Sequence, residues 1–374
     1  MRFVKSEDLK TGMRLARPIY NKNGVLLYER NSKLSGQGIV SIRNFGLLGI
    51  FILEPAEPVP PMTRADVEFE RFQTMCVFSI REELDSIART GRAQKTRQIA
   101  SEIIRNYGHL DAKINFLQNL RSKEDYTYKH SLNVAILCAM ITNVMNMMVE
   151  EQRETVQAAL VHDIGKIMRF EEEIAAGGSL ADLTTEAKEI AGHAFLEEAF
   201  SSKPNIKRIC SQAQKLLSSI KTGEDTSSIR LVNGARVLAV AETYDRMTAM
   251  KFNEEPASEV EALKYLLNHP KVFHEKVVDA LIKSVNILVP GVSVELNTGE
   301  KALVLAANEK DILRPRILMF RDNSVRDLAD PDMEELEIKD IMRTLDNRHV
   351  MDMDLLKKSG IQVEEEEYVE IPII

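Results

Sequence analysis

Over the first 55 residues, apolar and polar positions change places in short runs. MRLARPIY, VLLYE after the turn NKNG, and LLGIFIL read as strands, and GQGIVSIRNF among them is amphipathic. Residues 1–60 are expected to form a small β-rich domain. EPAEPVPPM at 54–62 holds four of the chain's 12 prolines, which disfavour helix and make a stiff, extended hinge. From 61 to 125 the period lengthens. Apolar residues recur at three- and four-residue steps between charged faces, as in FERFQTMCVFSIREELDSIA, which predicts a helical linker that joins domains or pairs with its own copy in a homodimer.

Residues 126–285 are richest in Ala, Leu, Val and Met at helical spacing and form the main helical body. In NILVPGVSVELNTGEKALVLAANEKDILRPRILMF, β-branched alternation and the turn NTGE predict a hairpin and a third strand, a β-rich extension over 286–322. Residues 323–374 are acidic, end in EEEEYVEIPII and show little periodicity, so an exposed or mobile tail is expected. No internal repeat is found. The fold class is mainly α: a helical core with a small β-rich N-terminal domain and a β-rich C-terminal extension.

The apolar content bears on location as well as fold. At 374 residues and 44% hydrophobic, the chain can bury at least one sizeable core. SLNVAILCAMITNVMNMM at 131–148 approaches the length of a membrane span, but Asn133, Thr142, Asn143 and Asn146 interrupt it, so a buried helix is expected instead. The N-terminus lacks an apolar signal core. Cys76, Cys138 and Cys210 are odd in number, far apart and not in metal-ligand pairs, which suits reduced thiols in a cytoplasmic protein. A formal net charge of −8 argues against DNA or RNA as a partner, while leaving room for a local basic pocket.

Candidate chemistry clusters in the helical body. His130 opens one apolar helix, in DYTYKHSLNVA, and His162 with Asp163 closes the next, RETVQAALVHD. Two antiparallel helices joined by a short loop set the start of the first beside the end of the second, so His130 should meet His162. Imidazole and carboxylate suit divalent iron, manganese or zinc, and Asp163 is placed to bridge. Lys166 shares a face with the doublet if the helix continues and could hold a phosphate oxygen; Gly165 leaves the backbone there uncrowded. His193, in GHAFLEEAF, and Glu242 with Asp245, in ARVLAVAETYD, are further candidates, Glu242 closing a first site with His130, His162 and Asp163. Taken singly, each has a plainer role: His193 a surface histidine, Lys166 a helix C-terminal charge, Glu242 and Asp245 a solvated face. The His-Asp doublet is the least easily explained that way, because it is costly to bury unless something pairs with it.

YKHSLNVA, LVHDIGK, GHAFLEEAF and RVLAVAETYD fall in the order of the HD superfamily of metal-dependent phosphohydrolases, and the chain resembles its HD-GYP branch, bacterial cyclic di-GMP phosphodiesterases. The likeness also takes in the strand-rich segments before and after the helical body. It implies an HD-type helical bundle in which metal ions activate water for attack on a phosphodiester. Carried over by position, His130, His162 and Asp163 match first-site metal ligands and His193 a second-site ligand. Lys166 matches the substrate-facing lysine, acting with Asp163 in catalysis, and Glu242 stands where the family has Asp. The chain departs from the branch near Gln214, where a His pair, a Glu and finally Gly-Tyr-Pro should begin: CSQAQKLLSSIKTGEDTSSIRLVNGARVLAV has no His, Tyr or Pro. Tyr126 stands where some members carry an extra carboxylate. The resemblance therefore implies one divalent site rather than two, and a protein of cyclic di-GMP signalling with hydrolysis weakened or lost. Two alternatives stay open: a catalytically silent signalling or partner-binding module, and a mononuclear phosphohydrolase acting on a nucleotide monophosphate. Partners consistent with these readings are a cyclic dinucleotide or other nucleotide, a protein, or a second copy of the chain.

Overall fold

A computed structural model of the chain describes residues 2–21, 25–44, 49–53, 63–118, 121, 125–167, 192, 195–223, 230–249 and 256–341. Lys22 to Gly24 of the expected turn, the proline hinge at 54–62, His193 and the tail beyond 341 lie outside these residues. The chain divides into two compact units, residues 1–75 with 287–374 and residues 76–286.

In the first unit, β1 (Arg2–Lys5), β2 (Arg14–Leu15), β3 (Ile19–Tyr20) and β4 (Leu26–Tyr28) precede α1 (Gly36–Asn44) and β5 (Gly49–Leu53). β5 is the middle strand of an antiparallel β1-β5-β2 sheet, with Arg2 opposite Ile52 and Leu15 also opposite Ile52 from the other side. Val4, Leu15, Ile39, Ile42, Ile50 and Ile52 make the core, the two-residue period of the strands meeting the apolar stripe of α1.

The boundary between units falls inside α2 (Arg64–Thr90). The second unit continues with α3 (Thr96–Tyr107), α4 (Tyr126–Val144), α5 (Val149–Val161), α6 (Pro204–Thr222), α7 (Asn233–Thr248), α8 (Glu259–Leu267) and α9 (Glu275–Ser284). α4 is its centre. Every residue from His130 to Thr142 is buried, and α3, α5, α7 and α9 all pack on it. That is the environment a helix apolar on all sides requires. Among the described residues no helix is long and apolar enough to cross a membrane. Cys76, Cys138 and Cys210 are buried free thiols.

Two expected boundaries need correction. The helical linker over 61–125 contains α3, which belongs to the helical body. Ile99, Ala100, Ile103 and Tyr107 are buried on its apolar stripe, and α4 and α5 pack against it. Glu83 accepts the backbone N–H groups of Gln94, Lys95 and Thr96, capping the start of α3 from α2. The stripe was legible, but its partner is this chain's own bundle. Residues 323–341 of the expected acidic tail are likewise structured, because β9 and β10 lie within them. β6 (Ser293–Leu296), β7 (Lys301–Ala306), β8 (Arg316–Met319), β9 (Val325–Asp327) and β10 (Ile338–Ile341) form an antiparallel sheet in the order β10-β6-β7-β8-β9. VRD and IKDI are its two edges. Edge strands carry charge to discourage further pairing, and that charge is what made them look like tail.

Candidate metal centre

The loop between α4 and α5 is four residues long and turns through Asn146 at a φ of 52°, a conformation that Asn tolerates better than most residues. The two helices therefore run antiparallel, and the first turn of α4 meets the last of α5. His130 Nε2 lies 3.3 Å from His162 Nε2. His130 Nε2 is 3.8 Å from Asp163 Oδ2, and His162 Nε2 is 3.7 Å from Asp163 Oδ1. All three side chains are buried, and each offers a ligand atom within 4.8 Å of the other two.

Hydrogen bonds at the far side of each ring fix what the near side can do. His130 Nδ1 is 2.6 Å from Asp245 Oδ2, and an ionised carboxylate can only accept, so Nδ1 carries the proton. His162 Nδ1 is 2.8 Å from the carbonyl oxygen of Ala159, which also can only accept. Both Nε2 atoms are then bare lone pairs facing each other. Two lone pairs and a carboxylate in a dry site repel unless a cation sits among them, and this donor set fits a divalent metal.

The ionisation states agree. Burial lowers the His162 pKa to about 4, so the ring is neutral at pH 7, as a ligand must be. Burial also lowers that of His130, against the pull of its bond to Asp245. For Asp163, burial pushes upward, but His162, Lys166 and His130 together hold the carboxyl well below the usual carboxylate range. Burial opposes ionisation of Asp245 too, and the Arg121 guanidinium overcomes it.

Behind His130 stands a polar network that sequence reasoning missed. Arg121 reaches both oxygens of Asp245, Nη1 to Oδ2 at 2.7 Å and Nη2 to Oδ1 at 2.6 Å, with both side chains fully buried. Asn133 and Gln118 donate to Asp245 Oδ1 as well. Asn133 lies three residues after His130, on the same face, and that spacing was the available signal; Arg121 sits in an aperiodic loop and gave none. Tyr126 stacks on His130, with ring centroids 5.6 Å apart, and the Arg121 guanidinium lies 5.3 Å from the Tyr126 centroid.

α5 ends at Val161, and the doublet is followed by a single 3₁₀ turn, Ile164–Lys166, rather than by continued α-helix. In that geometry residues i and i+3 eclipse, which puts Lys166 over Asp163; its Nζ donates to Oδ2 at 2.7 Å. Gly165 is not open backbone. A Cβ on Gly192 would come within 2.8 Å of Gly165 N and 3.0 Å of its Cα, so the two glycines let the chains touch there. Glu242 is buried on α7 but ion-paired with Arg246, one turn on, and is not among the three close ligand groups. α6 spans the place where the second-site His pair was sought. It buries Ile206, Ile209, Cys210, Ala213 and Leu216, and Gln212 ties Arg230 O and Val232 N to it.

Residues 127–247 match the family model of the HD domain. That span contains His130, His162, Asp163, Lys166, Glu242 and Asp245. Over that third of its length the chain is similar to an HD domain. The chain is 23% identical over 278 residues to a protein named cyclic di-GMP phosphodiesterase PA4108 of Pseudomonas aeruginosa, covering 71% of the chain and 66% of that relative. It is 31% identical over 129 residues to ribonuclease Y of Geobacter sulfurreducens and 30% to that of Geobacter metallireducens, spanning 33% of the chain and 23% of each ribonuclease. No match was found among solved structures.

Proposed function

We propose that the HD domain holds one divalent cation on His130, His162 and Asp163 and hydrolyses a phosphodiester, with a cyclic dinucleotide such as cyclic di-GMP as substrate. One observation carries the reading: two buried imidazoles whose Nδ1 protons are committed to Asp245 and Ala159 turn bare Nε2 atoms on one ionised carboxylate. A divalent cation held there supplies Lewis acidity toward a phosphoryl oxygen and activates water for attack.

The chain's own residues do the rest. Asp245 and the Ala159 carbonyl aim the two rings, so no reorientation is needed when the cation binds. Lys166, whose side chain is 23% exposed, is the most exposed member of the site, and with Asp163 holding a cation its ammonium would be available to a substrate phosphate. Glu242 would complete the ligand set of that cation if it gave up Arg246, and His193 would serve only a second, weaker site. The similarity to the Pseudomonas phosphodiesterase supports this choice of substrate class.

A second reading, a silent module that binds nucleotide or protein without turnover, draws on α6, whose described residues supply no imidazole where a second cation would need one. Incubation of the purified chain with cyclic di-GMP and Mn²⁺, Fe²⁺ or Zn²⁺ separates the two. Linear dinucleotide that disappears in Asp163→Ala supports hydrolysis; cation binding without product leaves the silent module.

A further inference from the structure

We infer that Arg121, which lies outside the span matched to the HD domain, is a positioning residue for the metal centre. By locking the Asp245 carboxylate it holds His130 in the tautomer whose Nε2 faces His162 and Asp163. The inference rests on reading that trio as a cation site, yet the tautomer it concerns belongs to the metal-free chain.

Arg121 belongs to no helix, and its guanidinium is nonetheless fully buried. Nη1 donates to Asp245 Oδ2 at 2.7 Å; Nη2 donates to Asp245 Oδ1 at 2.6 Å and to Gln118 Oε1 at 2.8 Å. A two-pronged bond of this kind fixes the plane of the carboxylate, which a lysine ammonium cannot do. Asp245 Oδ1 is further filled by Asn133 Nδ2 at 3.0 Å and Gln118 Nε2 at 3.1 Å, and Gln118 Nε2 is anchored to Thr248 Oγ1 at 2.9 Å. Oδ2 is left with one direction unfilled by the guanidinium, and His130 Nδ1 occupies it at 2.6 Å. Arg121 Nη1 is itself 3.5 Å from His130 Nδ1, too long to compete for that nitrogen. If Asp245 could turn, His130 could take its proton on Nε2 and aim an N–H at His162, in the space the cation needs.

A purely structural role, neutralising a buried acid, would predict no link between Arg121 and the tautomer. Long-range ¹H–¹⁵N spectra of the full-length, metal-free protein labelled with [¹⁵N]histidine report which nitrogen of His130 is protonated; the His130→Gln spectrum assigns the signal. The expected wild-type result is Nδ1–H. Arg121→Gln should mix the two tautomers and weaken Mn²⁺ binding by about 10- to 100-fold, with Arg121→Lys in between. An Nε2–H signal in the wild type overturns the inference without any variant. So does a folded Arg121→Gln or Arg121→Lys protein with the wild-type tautomer and Mn²⁺ affinity. An Arg121-dependent Nδ1–H signal in a protein that binds no Mn²⁺ supports the positioning of His130 and overturns the cation reading instead.

Discussion

His130 and His162 each use one ring nitrogen in a hydrogen bond that orients the ring and turn the other toward Asp163, and the two ends respond differently to substitution. Asp163→Ala removes an anionic ligand but leaves Lys166 partly exposed, so divalent binding should vanish while helical circular dichroism stays near wild type. Asp245→Ala leaves the Arg121 guanidinium buried without its carboxylate, which should cost about 3–5 kcal/mol, read as a lower urea midpoint. The histidines also set a pH dependence. His162 has a folded pKa of about 4 against an ordinary 6.5, so between those values the unfolded chain binds more protons than the folded one. Stability of the metal-free protein should therefore rise with pH across that window and be lost as pH falls through it, with His130 adding the same sign. Urea unfolding across the window checks this, and His162→Gln should flatten the slope. The His-Asp doublet was legible because burying it demands a partner. The Arg121–Asp245 pair was not, because 124 residues separate its members and no local period links them.

Among the helices, α4, α5 and α7 position the trio and its polar network, and a glycine lets α7 pack tightly on side chains of α5 and α6. A Cβ on Gly234, in the first turn of α7, would lie 2.6 Å from Thr155 Oγ1 on α5 and 2.9 Å from Ile209 Cδ1 on α6. Gly234→Ala should then destabilise the protein by about 1–3 kcal/mol through overpacking, measured by thermal or urea unfolding. The gain in helix propensity that Ala normally brings, under about 1 kcal/mol, is too small to reverse it. The pairing of α4 with α5 could be read from two apolar periods and a short loop turning at Asn146. The 3₁₀ turn after α5 could not, since IGKI is equally compatible with one more α-turn. It matters, because it sets Lys166 on Asp163 rather than leaving it on the outer helix face. Asn133, which marked α4 as no membrane span, turns out to be a donor to Asp245 inside the bundle.

For the molecule as a whole, the order of β-rich, helical and β-rich segments was visible in the change of period from two to three-and-four and back. The division into units was not, because the β-rich ends of the chain fall in one unit, residues 1–75 with 287–374, and the helical unit is residues 76–286. Sequence spacing carries no information about which distant segments cluster. The helical unit carries everything the proposed chemistry uses, and its claim on a cation can be measured without knowing the substrate. Equilibrium dialysis of the full-length, chelator-stripped protein against Mn²⁺, Fe²⁺ or Zn²⁺, beside Asp163→Ala, reads that claim. A single divalent ion retained per wild-type chain and none in the folded variant is the expected result. A folded wild-type protein that retains none of the three, or a variant that retains as much as the wild type, contradicts the metal centre built on His130, His162 and Asp163.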